Sequence, residues 1–444
     1  MQQDGFWLGD MDRRFPVLRG RRSADVVVLG GGLTGLHVAH LLTAAGLRVI
    51  LLEARHVGCG ASGVCSGIAS FGGGYESARR AMGEAGVQAL FQTRHAAFET
   101  LRALALELDC DWQEGEGFLV AARDSAIPQL EKEARAMQLA GLAARTDQGS
   151  QCPLPIRQSL LLPRQATMDV GRYLQALLRL CVKQGLKLYE DSRVVAMESG
   201  LVYTQAGSVV APYVVIATGY PIVNTPGWHF LRLWQQRQDM LPVRLNAPYV
   251  GSYREIDDAF SVRSYRGETL LTLEEGRVGT ASKARSEPFL SAVSMPERFY
   301  FGQAVRSADS LPVIGKYSAK TPNLFVATGF GTSGLVDGFA AAQAISADIL
   351  GLPADGYEIY QRSPFSARAL PATLGCTLRQ TGWWMASQLR FAAPRCPHLG
   401  CKLRYQGVQH AWTCPCHGSR FDELGRIAAA PCVYDARVRH HRIR

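Results

Sequence analysis

The chain has 444 residues, 47% of them hydrophobic and 19% charged, with a formal net charge of +10. That composition is globular and long enough for two or three domains, and no apolar run approaches the roughly 20 residues that a membrane span needs. The positive charge gathers in residues 13–22 and 437–444, as solvated termini or a site for an acidic partner or membrane surface, and no aromatic-interleaved basic motif points to nucleic acid.

The N-terminus carries arginines but no apolar core with a small-residue cleavage site, so the expectation is a cytoplasmic protein without a signal peptide. Eleven cysteines, an odd number, do not read as a disulfide framework. They read as reduced thiols plus one C-terminal cluster.

Residues 25–29, DVVVL, predict a buried strand. Gly30-x-Gly32-x-x-Gly35 follows at once, and LHVAHLLTAAG then has helical apolar spacing that stops at Gly46. A second strand over 48–52 ends at Glu53, 18 residues after Gly35. Gly30 permits the tight turn, Gly32 the approach of backbone to a pyrophosphate, and Gly35 close packing of helix on strand. Leu33 and Thr34 open the helix, whose N-terminus favours phosphate, and Glu53 can accept from a ribose hydroxyl. The glycines alone are weak; strand, turn, helix, strand and acid in this order predict a dinucleotide site. His37 and His40 are read as solvent-facing positions of that helix.

The stretch after Glu53, LEARHVGCGASGVCSG, resembles the FAD-binding signature of the D-amino-acid oxidase-like family, which includes glycine, sarcosine and γ-glutamylputrescine oxidases. The resemblance implies that the loop with Ala61 and Ser62 passes under the flavin and that Val194, in RVVAM, meets adenine. It implies a second contact at Ala217, Thr218 and Gly219, in VVIATG. The segments DSLPVIG and NLFVATGFGTSGLVDG resemble the closing flavin motif, with Gly329, Gly331 and Gly334 against the cofactor.

The implied fold class is α/β (α+β). A Rossmann-like FAD-binding domain would be built from about 24–75, 165–225 and 303–352, with an antiparallel substrate-binding sheet from 76–164 and 226–302. Amino-acid oxidases of the family place a carboxylate-gripping arginine where this chain has Ala304. Arg306 and Arg263 are the nearby candidates, each equally able to be a structural ion pair. No cysteine lies between Cys181 and Cys376, so noncovalent FAD is expected.

Residues 354–375 read as a linker, and 376–444 as a small domain with its own chemistry. Cys396-x-His398 is followed by Cys414-x-x-His417. Two cysteines and two histidines can hold zinc, but zinc fingers present them as separate pairs, whereas each loop here offers one of each. That suits two metals of different character. CPCHGSRFDELGRI resembles the Rieske [2Fe–2S] motif, which implies Cys396 and Cys414 on one iron and His398 and His417 on the other. It also implies a disulfide between Cys401 and Cys416, and a hydrogen bond from Ser419 to cluster sulfide. Phe421 stands where respiratory Rieske proteins carry a tyrosine, so a lower potential is expected. The all-β Rieske domain looks shortened, with Trp383 and Trp384 either closing its edge or docking it on the flavin body.

Together the two parts imply an oxidoreductase of an amine or amino-acid-like small molecule. Electrons would leave the flavin one at a time through the cluster to an external acceptor, an acidic carrier or a quinone. The alternatives are a cluster that feeds electrons inward for a reduction or oxygenation, or one that is a redox sensor or structural tether.

Overall fold

The computed structural model describes residues 5–9, 15–147, 152–245, 249–278, 298–361, 363, 366–389 and 393–438. Most of the tail 437–444 lies outside them, as does part of the 13–22 run. Val26–Leu29, four buried β-branched and leucine side chains, lies in the middle of a six-stranded sheet. Val49–Leu52 and Tyr213–Ile216 flank it in parallel, and Thr321–Thr328 extends the sheet beside Tyr213–Ile216. A continuous apolar strand is what a parallel sheet covered on both faces requires.

The helix Leu33–Ala44 packs on the sheet and against the helix Gly334–Leu350. At the crossing a Cβ on Gly338 would lie 2.6 Å from Thr34 Oγ1, so glycine lets the two helices approach without displacing that side chain. This packing overturns the reading of His37. It is fully buried, its Nε2 lies 2.8 Å from the Tyr173 hydroxyl, and burial pushes its pKa down to about 3. His40 is half-buried, with Nδ1 3.0 Å from Gln184 Oε1. The helix is enclosed by the sheet and by the helices Val170–Lys183 and Gly334–Leu350, so it lacks the wet face that a one-sided helix would have.

A nine-stranded sheet forms the second layer, in the order Tyr300–Ser307, Leu233–Val243, Glu268–Arg277, Phe260–Tyr265, Ser252–Glu255, Gln113–Ala121, Gln158–Thr167 and Ile68–Ala69, with Arg145–Asp147 paired to Gln158–Thr167 off this line. Its pairs are antiparallel except Ser252–Glu255 with Gln113–Ala121. The edge strand Tyr300–Ser307 spans the boundary expected at 302.

The helix Leu370–Gln388 begins inside the stretch expected to be linker. After it, Arg404–Gln406, Ala411–Thr413, Arg420–Asp422 and Ile427–Ala429 form an antiparallel meander. Its core is small and rich in sulfur: Cys396, Cys401, Leu403, Trp412, Cys414, Cys416, Phe421, Cys432 and Ala436. So few apolar side chains leave a unit this size dependent on a metal or on docking. Docking is visible. Gln303 Nε2 donates to the Gly418 carbonyl at 2.8 Å, Arg193 Nη2 to Ile427 O at 3.2 Å, and Tyr434 Oη to Val195 O at 3.2 Å. Trp383 and Trp384 are both partly exposed; the Trp384 indole N–H donates to the Leu399 carbonyl at 3.2 Å, inside the first cysteine–histidine loop.

Candidate functional site

One cavity of about 280 Å³ opens at the C-terminal ends of the parallel strands, where open α/β sheets bind ligands. Gly30, Gly32, Leu33 and Thr34 line it from the first turn, Glu53 from the second strand, and Ala61 and Ser62 from the loop beyond. Val194 and the run Ala217, Thr218, Gly219 close one end. Gly329, Gly331 and Gly334 come in from the last strand–helix turn. Gly35 stays behind the wall: a Cβ there would sit 2.0 Å from the Gly30 carbonyl oxygen. The Glu53 carboxylate accepts from the N–H groups of Gly31 and Arg55, both at 2.8 Å, and is thereby fixed at the cavity edge. The Leu33 N–H points across to Ser62 Oγ at 3.1 Å. A helix N-terminus facing a small-residue loop is a cradle for a diphosphate.

The two arginine candidates fare differently. Arg306 is held between Asp258 and Glu274, the latter at 2.7 Å. Burial works against its charge, but the two carboxylates outweigh it and raise its pKa. Arg263 donates to the carbonyls of Ser66 at 2.5 Å and Met168 at 2.8 Å, under Trp7 and Tyr265 and behind the cavity wall. Both are engaged in structure. Arg55, Arg193, Arg254 and Arg420 do line the cavity, and of these Arg254 is bonded to the Gly72 carbonyl, to Ser333 Oγ at 3.1 Å and to Thr332 Oγ1 at 3.4 Å. Burial lowers its pKa. Nothing in the spacing of SYRE marked it.

The second centre lies against the same cavity. The rings of His398 and His417 stand 4.9 Å apart at 89°. Both Nδ1 atoms are buried without a hydrogen-bond partner. Burial lowers both pKa values, that of His417 to about 3, which keeps the imidazoles neutral as metal ligation requires. Cys414 sits among Cys396, Cys401 and Cys416, whose S–H groups bond to it and hold its pKa well below the usual thiol value. A buried cysteine whose pKa is held low and two buried imidazole nitrogens with nothing to bond fit a cluster with one sulfur-bound and one imidazole-bound iron.

The Cys401–Cys416 disulfide implied by the resemblance is not formed. Both are free thiols, and their sulfurs lie with that of Cys414 within 4.8 Å of one another.

The residues joining the two centres carried no sequence signal. Asn224 Oδ1 lies 2.8 Å from His398 Nε2. Gln235 donates to the carbonyls of His417 at 2.9 Å and Ala430 at 2.8 Å, and Tyr220 meets the His417 ring at 6.2 Å between centroids. Gln235 and Tyr220 both line the cavity, as do Arg420 and Ala428, Ala429 and Ala430 from the small domain. Gly418, at φ +87°, leaves room for Gln235, whose Cβ would be 2.8 Å from any added Cβ. Cys432, also unmarked by its sequence, is buried, shares a hydrogen bond with Cys396, and donates its N–H to Ser419 Oγ at 3.1 Å.

The FAD dependent oxidoreductase family matches residues 25–347. The chain belongs to that family. A Rieske [2Fe–2S] domain matches residues 379–439, so FAD and a [2Fe–2S] cluster are the cofactors of this oxidoreductase. YhfW of Bacillus subtilis, a protein named for a Rieske 2Fe-2S iron–sulfur centre, is 24% identical over 94% of both chains. Gamma-glutamylputrescine oxidoreductase of Escherichia coli is 28% identical over 46% of this chain and 50% of its own. Glycine oxidase from Geobacillus kaustophilus shares the fold, with a TM-score of 0.59, 17% identity, and coverage of 75% of this chain and 96% of that one.

Within the Rieske domain Phe421 is fully buried in the sulfur-rich core. Phe421→Tyr is expected to raise the cluster's reduction potential, since a phenol O–H aimed at cluster sulfur bonds the more negative reduced state more strongly. A gain of about 1 kcal/mol on reduction corresponds to about 40 mV for one electron. Protein-film voltammetry measures it, and an unchanged or lower potential would mean that residue 421 does not face the cluster.

Proposed function

We propose that this oxidoreductase is a dehydrogenase. It oxidises an amine or amino-acid-like small molecule and passes the electrons through its Rieske centre to an external acceptor. FAD supplies hydride acceptance from a C–H beside nitrogen, and the [2Fe–2S] cluster supplies one-electron transfer. The observation that carries this reading is the shared wall. Gln235 and Tyr220 each face the cavity and each touch His417, so the histidine end of the second centre looks toward the first. A protein that delivered electrons to dioxygen at its flavin would have no use for a second centre docked in this way.

In this reading Gly30, Gly32 and Leu33 cradle the FAD diphosphate with the 61–62 loop opposite, Glu53 binds ribose, and Val194 covers adenine. Gly329 and Gly331 bring backbone to the ring, and Arg254 offers a cation to a substrate carboxylate. Cys396 and Cys414 ligate one iron, His398 and His417 the other. Asn224 holds Nε2 of His398 and leaves the buried Nδ1 for the iron.

Anaerobic addition of a panel of amines and amino acids tests the direction of flow. A true substrate should bleach flavin absorbance first, and the reduced-cluster EPR signal should follow. The opposite order, with a one-electron donor reducing the cluster and then the flavin while no amine bleaches it, would reverse the proposed direction.

A further inference from the structure

The helix Leu370–Gln388 is inside out. At about 100° per residue, Thr373, Cys376, Gln380 and Ser387 share one face, and all are buried. Polar atoms on this side grip the flavin body and the first cluster loop: Gln380 Nε2 donates to the Leu233 carbonyl at 2.9 Å, Thr377 Oγ1 to Leu231 O at 3.2 Å, and Ser387 Oγ accepts from Lys402 N at 3.2 Å. The opposite face carries Leu374, Leu378, Met385 and, just past the end, Leu389. They are 51%, 71%, 62% and 74% exposed. An ordinary surface helix buries its apolar stripe and wets its polar one. Here hydrogen bonds fix the polar stripe inward, and four large apolar side chains stand in a row with nothing over them in the described chain.

Charge says what would cover that row. Between Glu358 and Asp422 there is no aspartate or glutamate in 63 residues, and there are eight lysines and arginines. Arg379 lies exposed on the helix, and exposed Arg395 is tied to its end through Gln388 Oε1 at 3.0 Å. Leu399, 43% exposed at the tip of the first cluster loop and bonded to Trp384, continues the patch toward the cluster. A second copy would bring the same positive charge against this one, which disfavours self-pairing. Exposed leucines and tryptophans with arginines and no acids match a helix lying in the plane of an anionic bilayer. No helix among the described residues is long and apolar enough to cross a membrane, so the contact is with the surface.

We infer that the face formed by Leu374, Leu378, Met385, Leu389 and Leu399 docks this oxidoreductase on an anionic lipid bilayer. Sedimentation of the holoprotein with vesicles tests this. Vesicles of phosphatidylcholine and phosphatidylglycerol in equal parts should bind at least about tenfold more tightly than phosphatidylcholine alone, because each basic side chain near the surface adds attraction. Added salt should weaken that binding. The double variant Leu378→Glu, Leu389→Glu should lose about tenfold or more, with flavin and cluster spectra unchanged. Arg379→Glu should weaken binding to the mixed vesicles and leave the weak binding to phosphatidylcholine as it was. Holoprotein that stays in the supernatant with anionic vesicles overturns the inference. So does a dimer, seen by light scattering, that Leu378→Glu dissolves, or vesicle binding that the leucine substitutions leave intact.

Discussion

His417→Cys and His398→Ala should abolish turnover with a one-electron acceptor while substrate still reduces the flavin at nearly the native rate. The two histidines stand at the face where the small domain meets the cavity wall, and their Nδ1 atoms have no hydrogen-bond partner among the described residues. Losing an outer partner of a metal ligand already costs about 10- to 100-fold, so losing a ligand should cost at least about 100-fold. Reduction of the flavin depends instead on where the substrate C–H is held. Arg254, Gln238 and Ser261 line the cavity in which the substrate is proposed to bind, and none of them is in the small domain. Stopped-flow measurement of the two half-reactions separates the cases. Normal turnover without a cluster would make the Rieske domain a sensor or a tether. Loss of both half-reactions would mean that the domain also shapes the cavity, which Ala428, Ala429 and Ala430 in its wall make a concrete alternative outcome.

How far the sequence could be read follows from where the chemistry is local. Strand, glycine turn, helix and Glu53 lie within 30 residues, and each type has one physical use, so the cavity's first wall was legible. The two cysteine–histidine loops were legible for the same reason. What the sequence could not display was pairing at long range. Arg306 looked available because its partners Asp258 and Glu274 are 48 and 32 residues away. His37 looked wet because its partner Tyr173 is 136 residues off. The residues that join the two centres are an asparagine, two glutamines and a tyrosine. Such side chains occur on any surface, and only the folding of Leu233–Val243 beside Tyr300–Ser307 brings Gln235 and Gln303 under the cluster loops. The helix over 370–388 was missed because its stripe points the wrong way: with polar residues inward, periodicity has no core to announce.

Gly32→Val should yield a folded chain that is largely without flavin. Gly32 has φ −79° and ψ 179°, ordinary extended backbone that valine adopts freely, so the substitution introduces no backbone strain. Space is the issue. A Cβ at residue 32 meets only Ser62 Oγ, at 3.2 Å, across the gap between the helix N-terminus and the 61–62 loop. Both γ-methyl groups of valine would then occupy the gap in which the diphosphate is proposed to lie. Forcing extra methyl groups into a fitted space costs about 1–3 kcal/mol. That cost corresponds to a roughly 10- to 100-fold rise in the Kd for FAD. Gly35→Ala makes the contrast: its Cβ would fall 2.0 Å from the Gly30 carbonyl oxygen, a collision within the protein, so it should lower the yield of folded chain whether or not FAD is present. Flavin released by acid, measured per folded chain with circular dichroism as the control for folding, distinguishes the two variants. Full flavin occupancy in Gly32→Val would place the diphosphate somewhere other than the first glycine turn.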